Sequence, residues 1–208
     1  MNEEILNNRL AWTASHNGIS VQVDMDIRVH PAKSDKIVII IGGVDASVDG
    51  YKDKYAKMAQ RITEKQGKAA VRFSNDFISS FHWEENLRHA LKYVDEHAVP
   101  ITGMASPEVE IVAHSAGASV ALWLAHEYPQ VTKMLLINTA AELGLNKILR
   151  GLARYKNKAL LVFGSLDNSL SKFQTVVPNH PLIIIEGANH QFSSLPLEKF
   201  IQLVDLLD

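Results

Sequence analysis

The segment Ile111-Val112-Ala113-His114-Ser115-Ala116-Gly117 sets a serine between a small residue two before it and a glycine two after. A strand that turns sharply into a helix strains its central residue and brings the positions two away so close that only small side chains fit. The hydroxyl is then presented at a helix N-terminus, where free N–H groups and the dipole favour an oxyanion. Ser115 has a second reading as a plain helix N-cap. A serine becomes a nucleophile only when a histidine, oriented by a carboxylate, takes its proton. Both types follow later: Asp167 after Gly164-Ser165-Leu166, and His190 after Glu186-Gly187-Ala188-Asn189. An aspartate also suits a turn, a loop histidine can serve only as a hydrogen-bonding group, and Glu142 is a rival for the acid.

These residues need a frame that holds them at one rim. Ser20–His30 alternates with period two, as a half-buried strand does, and Asn17-Gly18 can form a tight turn from an earlier strand around Leu10–Ala14. Beyond them lie six short, continuous apolar runs: Lys36–Ile41, Ala69–Phe73, Val109–Ala113, Met134–Ile137, Ala159–Phe163 and Leu182–Ile185. Strands buried on both faces of a parallel sheet read this way. Helical patterns separate the runs, at Tyr51–Gln66 (Tyr55, Met58, Ala59, Ile62), Trp83–Val94 (Leu87, Ala90, Leu91, Val94), Ala116–Glu127 and Pro196–Leu207. The expected fold class is α/β: a doubly wound, mostly parallel sheet with helices on both faces and antiparallel strands at its N-terminal edge. Ligands of such sheets bind outside the carboxyl ends of the strands. Ser115, Asp167 and His190 each follow a buried run, in the order Ser, Asp, His.

With that order the chain resembles an α/β-hydrolase from about residue 20 onward. The resemblance implies Ser115 as nucleophile, His190 as general base and then acid, and Asp167 as the orienting carboxylate. It implies a carboxylic ester or thioester substrate cleaved through an acyl-enzyme. An amidase or peptidase with the same triad, or a binding protein that keeps the fold without turnover, are the alternatives. The first buried run ends in Gly42-Gly43-Val44-Asp45, with Ile41 where relatives carry a histidine. Glycines there let backbone N–H groups face a reacting carbonyl, although the same pair also suits a tight turn. The expected oxyanion donors are the amides of Ala116 and of Gly43 or Val44. Asp45, Ser47 and Asp49 are expected to cap and start the next helix.

The apolar loop Phe77-Ile78-Ser79-Ser80-Phe81-His82-Trp83 offers Phe77, Ile78, Phe81 and Trp83 as a hydrophobic substrate pocket, or else as a loop tucked into the core. The stretch Thr139–Lys158 has room for a helix or two but not for a lid domain, so one domain over 1–208 with an open site is expected.

Composition narrows the rest. With 21 Lys+Arg against 23 Asp+Glu the formal charge is −2, which gives no basic face for nucleic acid. The absence of cysteine removes disulfides, zinc-thiolate sites and a thiol nucleophile. His82, His89 and His97 lack the close pairing of a zinc helix, and no dinucleotide or phosphate-loop glycine motif is present. No metal and no cofactor are therefore expected. The acidic start Met1-Asn2-Glu3-Glu4 does not read as a signal peptide, and no apolar run is long enough to cross a bilayer. The expectation is a cytoplasmic protein, monomeric or homodimeric, acting on a small molecule and not on membranes.

Overall fold

The strands are β1 (Leu6–His16), β2 (Ile19–His30), β3 (Lys36–Ile41), β4 (Ala69–Phe73), β5 (Glu108–His114), β6 (Val131–Ile137), β7 (Lys158–Gly164) and β8 (Leu182–Ile185). In the computed structural model, which describes residues 6–16, 18–75, 83–175 and 180–208, they form one sheet in the order β1-β2-β4-β3-β5-β6-β7-β8. Antiparallel pairing is confined to the N-terminal edge, where β1 joins β2 and β2 joins β4. From β4 to β8 every pairing is parallel. The β1–β2 register pairs Ser15 with Ser20 and His16 with Ile19, leaving two residues for the turn. Gly18 takes φ 78° there, while Asn17 lies outside the described residues.

The helices are α1 (Lys54–Arg61), α2 (Trp83–Glu96), α3 (Ala98–Thr102), α4 (Ala116–Leu124), α5 (Leu145–Arg154), α6 (Leu170–Gln174) and α7 (Leu197–Ile201). The alternation of side chains along a strand divides the core between two faces. Ile37, Ile39 and Ile41 of β3 pack with α2, α4 and α5, whereas Val38 and Ile40 pack with Tyr55, Met58 and Ala59 of α1 and with Phe200 of α7. The continuous apolar runs are thus explained, because each strand of the centre must satisfy both layers. Leu182–Ile185 differs from its expected double burial. As the sheet's last strand, β8 is only half-buried, and Ile184 is exposed. Leu182 packs against one core layer and Ile183 and Ile185 against the other, but an edge strand has no further strand beside it to complete the cover.

None of Asp45, Ser47 and Asp49 caps α1 with its side chain. The N-cap of that helix is Asp53, which makes no side-chain cap bond. Ser47 Oγ instead accepts the Gly50 N–H at 3.1 Å, and the Asp49 carboxylate pairs with the buried Arg72 guanidinium. The loop is therefore tied to the sheet before the helix begins.

Candidate active site

Ser115 sits between β5 and α4 with φ 57° and ψ −120°, a conformation that an L-residue holds only when its surroundings over-determine it. They do. Its N–H donates to Ile137 O at 2.9 Å, and its carbonyl accepts from Ala118 N at 3.1 Å and Ser119 N at 3.2 Å. The small neighbours are required by contact: a Cβ on Gly117 would lie 2.4 Å from Gly42 O and 2.9 Å from Ile41 O. The nucleophile turn and the loop after β3 touch backbone to backbone at that point.

The three candidates converge. Ser115 Oγ lies 2.8 Å from His190 Nε2, and His190 Nδ1 lies 2.6 Å from Asp167 Oδ2. A carboxylate can only accept, so Nδ1 carries the proton and Nε2 is left to accept from the serine hydroxyl. Asp167 is 6 % exposed, and its other oxygen accepts the Ser169 N–H at 2.7 Å, which fixes the carboxylate plane. Glu142, the rival acid, is engaged elsewhere, accepting from Lys172 Nζ at 2.8 Å and Ser169 Oγ at 3.1 Å. The Lys172 ammonium holds its carboxyl below the usual range.

A second set of residues, which the sequence pattern passed over, holds the histidine loop through its main chain. The His190 carbonyl accepts from Asn138 Nδ2 at 2.8 Å and from His114 Nε2 at 3.0 Å. Asn138, at φ 46° just past β6, also donates to Asn189 O at 3.2 Å and accepts the Gly164 N–H at 2.8 Å. It thereby ties the ends of β6 and β7 to the loop beyond β8. With Nε2 of His114 donating, its Nδ1 accepts from Tyr55 Oη at 3.0 Å. Burial, followed by the positive charge of Lys54, drives the His114 imidazole well below its ordinary range, so it is neutral. Burial likewise raises the Tyr55 phenol, against a hydrogen bond from the Gly43 N–H that pulls it down. Tyr55, His114 and His190 are thus joined in one chain of hydrogen bonds. Tyr55 read in the sequence only as an apolar helix position, and its hydroxyl gave no signal there. Asn138 follows a buried run directly, and that position rule would have found it.

The expected oxyanion groups lie beside the serine. A Cβ on Gly43 would stand 3.0 Å from Ser115 Cβ, so the backbone of this loop passes directly beside Ser115. An open cleft of about 430 Å³ is lined by Gly43, Val44, Tyr51, Lys54, Ser115 and Gln191, among others. The expected pocket residues Phe77, Ile78 and Phe81 lie outside the described residues, and Trp83 is placed only as the first residue of α2. Lys54 was not expected in the site. It is 5 % exposed, with its ammonium 4.5 Å from the Phe200 ring centre and 5.0 Å from that of Tyr55. Burial lowers it to about 8, which leaves it charged at neutral pH.

Of the histidines considered for metal, His82 lies outside the described residues. His89 stacks on Trp12 at 4.9 Å and His97 on Tyr93 at 4.2 Å.

Strand order, the strained turn after β5 and the loops after β7 and β8 define the chain as having the α/β-hydrolase superfamily fold. Solved structures agree. Est1E from Butyrivibrio proteoclasticus is similar at TM-score 0.70 and 16 % identity, over 95 % of this chain and 96 % of that one. The peroxisomal α/β-hydrolase Lpx1 of Saccharomyces cerevisiae is similar at TM-score 0.72 and 10 % identity, over 100 % and 89 %. The esterase domain of a Rhodothermus marinus protein is similar at TM-score 0.66 and 15 % identity, over 97 % and 96 %. No family model and no curated protein sequence matches the chain.

Proposed function

We propose that the protein is a serine hydrolase that cleaves a carboxylic ester or thioester through an acyl-enzyme. The observation that carries this reading is the unbroken line from Ser115 Oγ to His190 Nε2 at 2.8 Å and from His190 Nδ1 to Asp167 Oδ2 at 2.6 Å. It stands on a backbone strained at the serine. As Oγ attacks the acyl carbon, Nε2 takes its proton, and the imidazolium so formed is stabilised by the Asp167 carboxylate. Collapse of the tetrahedral intermediate expels the alcohol or thiol, which leaves with the proton from Nε2. A water then repeats the sequence on the acyl-serine, with its proton passing to Nε2 and on to Oγ as the acid departs. The amides of Ala116 and of Gly43 or Val44 are the oxyanion donors in this reading. A cleft open to solvent favours esters and thioesters of modest acyl groups over a buried long lipid. The similarity to the esterase domain of the Rhodothermus marinus protein supports the same reading.

The test is labelling by a fluorophosphonate. Wild type is labelled, and Ser115→Ala and His190→Ala, both checked for native circular dichroism, are not. A folded wild type that stays unlabelled, and that turns over no p-nitrophenyl ester or acyl-thioester, overturns the proposal in favour of a binding role.

A further inference from the structure

Among the described residues Lys54 is the one nearly enclosed cation that lines the serine cleft, whose lining also includes Asp45. Among the described residues no carboxylate pairs with it: burial alone acts on its amine. Its ammonium rests instead on the rings of Phe200 and Tyr55, 4.5 and 5.0 Å from their centres. Ring faces compensate a cation only in part, and a buried charge without a counter-ion is retained at a cost in stability. Other buried cations of the chain are answered: Arg72 by Asp49 and Lys68 by Glu110. Lys54 differs from both by lining the cleft that holds Ser115. Its charge also acts on His114, whose imidazole it helps keep neutral.

We infer that Lys54 determines specificity: the substrate of this site carries an anionic group, a carboxylate or a phosphate, that completes an ion pair with the Lys54 ammonium while its ester or thioester carbonyl meets Ser115. The inference rests on the proposed hydrolase reading and narrows its substrate class. A charge-assisted bond in an enclosed site is stronger than one in water, and an Arg or Lys partner that is already desolvated has less still to lose on binding. The anion is therefore recognised at the ground state as well as during reaction, so the preference falls mainly on KM.

The experiment compares p-nitrophenyl hemiesters of succinate, glutarate and adipate with their methyl-capped, neutral counterparts at pH 7. Acetylated 4-hydroxybenzoate against its methyl ester puts the charge on the leaving side. Wild type is expected to prefer the anionic member at one chain length or on one side by about tenfold or more in kcat/KM. That ratio is expected to collapse towards one in Lys54→Met, which keeps the apolar stem against the two rings, and to survive in Lys54→Arg. Lys54→Gln, with circular dichroism on every variant, covers a failure of the methionine form to fold. Turnover of the neutral esters that is lost in Ser115→Ala, with no anion preference in any pair, overturns the Lys54 inference and leaves the hydrolase reading standing. Should no ester be turned over, titration calorimetry of glutarate and of inorganic phosphate into wild type and Lys54→Met decides. Saturable binding that Lys54→Met abolishes supports the inference and says which anion is taken; no binding to wild type overturns it.

Discussion

Replacing Asn138 tests whether the His190 loop is positioned through its main chain. The Asn138 amide makes three bonds: to His190 O at 2.8 Å, to Asn189 O at 3.2 Å and from the Gly164 N–H at 2.8 Å. Asn138→Ala removes two donated bonds, each worth about 0.5–1.5 kcal/mol net, and strands the buried Gly164 N–H, which costs about 1–3 kcal/mol. Alanine at φ 46° adds about 1 kcal/mol, because asparagine tolerates the left-handed region better. The expected loss is about 3–7 kcal/mol, read as a fall in the urea midpoint at constant slope. The His190 carbonyl keeps only His114, and a displacement of about 1 Å at a reacting group costs on the order of 100-fold in rate. On the proposed mechanism kcat for a p-nitrophenyl ester therefore falls about 10- to 100-fold while KM changes little. Asn138→Asp separates positioning from packing. It keeps the shape and the acceptor for Gly164 but turns an oxygen towards two carbonyls. A wild-type kcat in Asn138→Asp, measured on protein with an unaltered circular dichroism spectrum, refutes the reasoning.

Four further outcomes follow from the geometry. Asp167→Asn lowers kcat by about 10⁴, the cost of a wrong histidine tautomer, whereas Glu142→Gln leaves ester hydrolysis within about twofold of wild type; the two steady-state rates identify the acid. Gly117→Ala, whose Cβ would meet Gly42 O at 2.4 Å, loses about 1–3 kcal/mol from overpacking and lowers kcat by moving the oxyanion loop, as urea titration and kinetics report. Tyr55→Phe frees the Gly43 amide and leaves His114 Nδ1 without a donor, so stability falls by about 1–2 kcal/mol and kcat with it. Acid weakens the fold: burial, then Arg72, lowers His30 to about 4, and His114 also lies below its ordinary value. Above pH 6.5 neither histidine binds a proton in either state. As pH falls from 6.5 towards 4 the unfolded chain is protonated first, so stability is lost across that window, about 3 kcal/mol of it from His30, measured by urea unfolding at pH 7.5, 6 and 5.

The residues that are legible in the sequence are those whose position is set by chain order. Ser115, Asp167 and His190 each follow an apolar run directly or within a few residues, so knowing that the runs are parallel strands is enough to bring them to one rim. The two-sided burial of β3 to β7 is legible for the same reason, since Ile37–Ile41 could not satisfy only one layer. What escapes is whatever depends on the path of a loop. Tyr55 belongs to the apolar stripe of α1, and its hydroxyl matters only because the loop after β3 brings Gly43 to it. Lys54, the residue before Tyr55 on the same helix, lies outside that stripe, and the Phe200 ring, nearly 150 positions later in the chain, packs against its ammonium. The half-burial of β8 is hidden too, because composition does not say which strand ends at the sheet's edge.

The supporting residues share one property, and it bears on how the site works. Tyr55 stays protonated, His114 stays neutral and Asn138 has no charge to lose, so the groups that grip the His190 carbonyl do not change state between pH 6.5 and 8. The bonds from Asn138 and His114 end on the His190 main chain, so the ring itself is held at Nδ1 by Asp167 and at Nε2 by Ser115 Oγ. On the proposed mechanism Nε2 serves in turn Ser115 Oγ, a departing alcohol or thiol, and water. A charged support in the same position would add a field that varies with the proton it holds, and would compete with Asp167 for the imidazolium. The strain at Ser115 is retained on similar grounds. It is opposed by four main-chain bonds, from Ser115 N–H to Ile137 O and from Ala118, Ser119 and Ala140 to Ser115 O, none of which breaks when the hydroxyl reacts. On the proposed mechanism Ser115 and His190 are each held by groups the chemistry does not touch, so turnover leaves the arrangement unchanged and adds no reorganisation of the protein to the barrier.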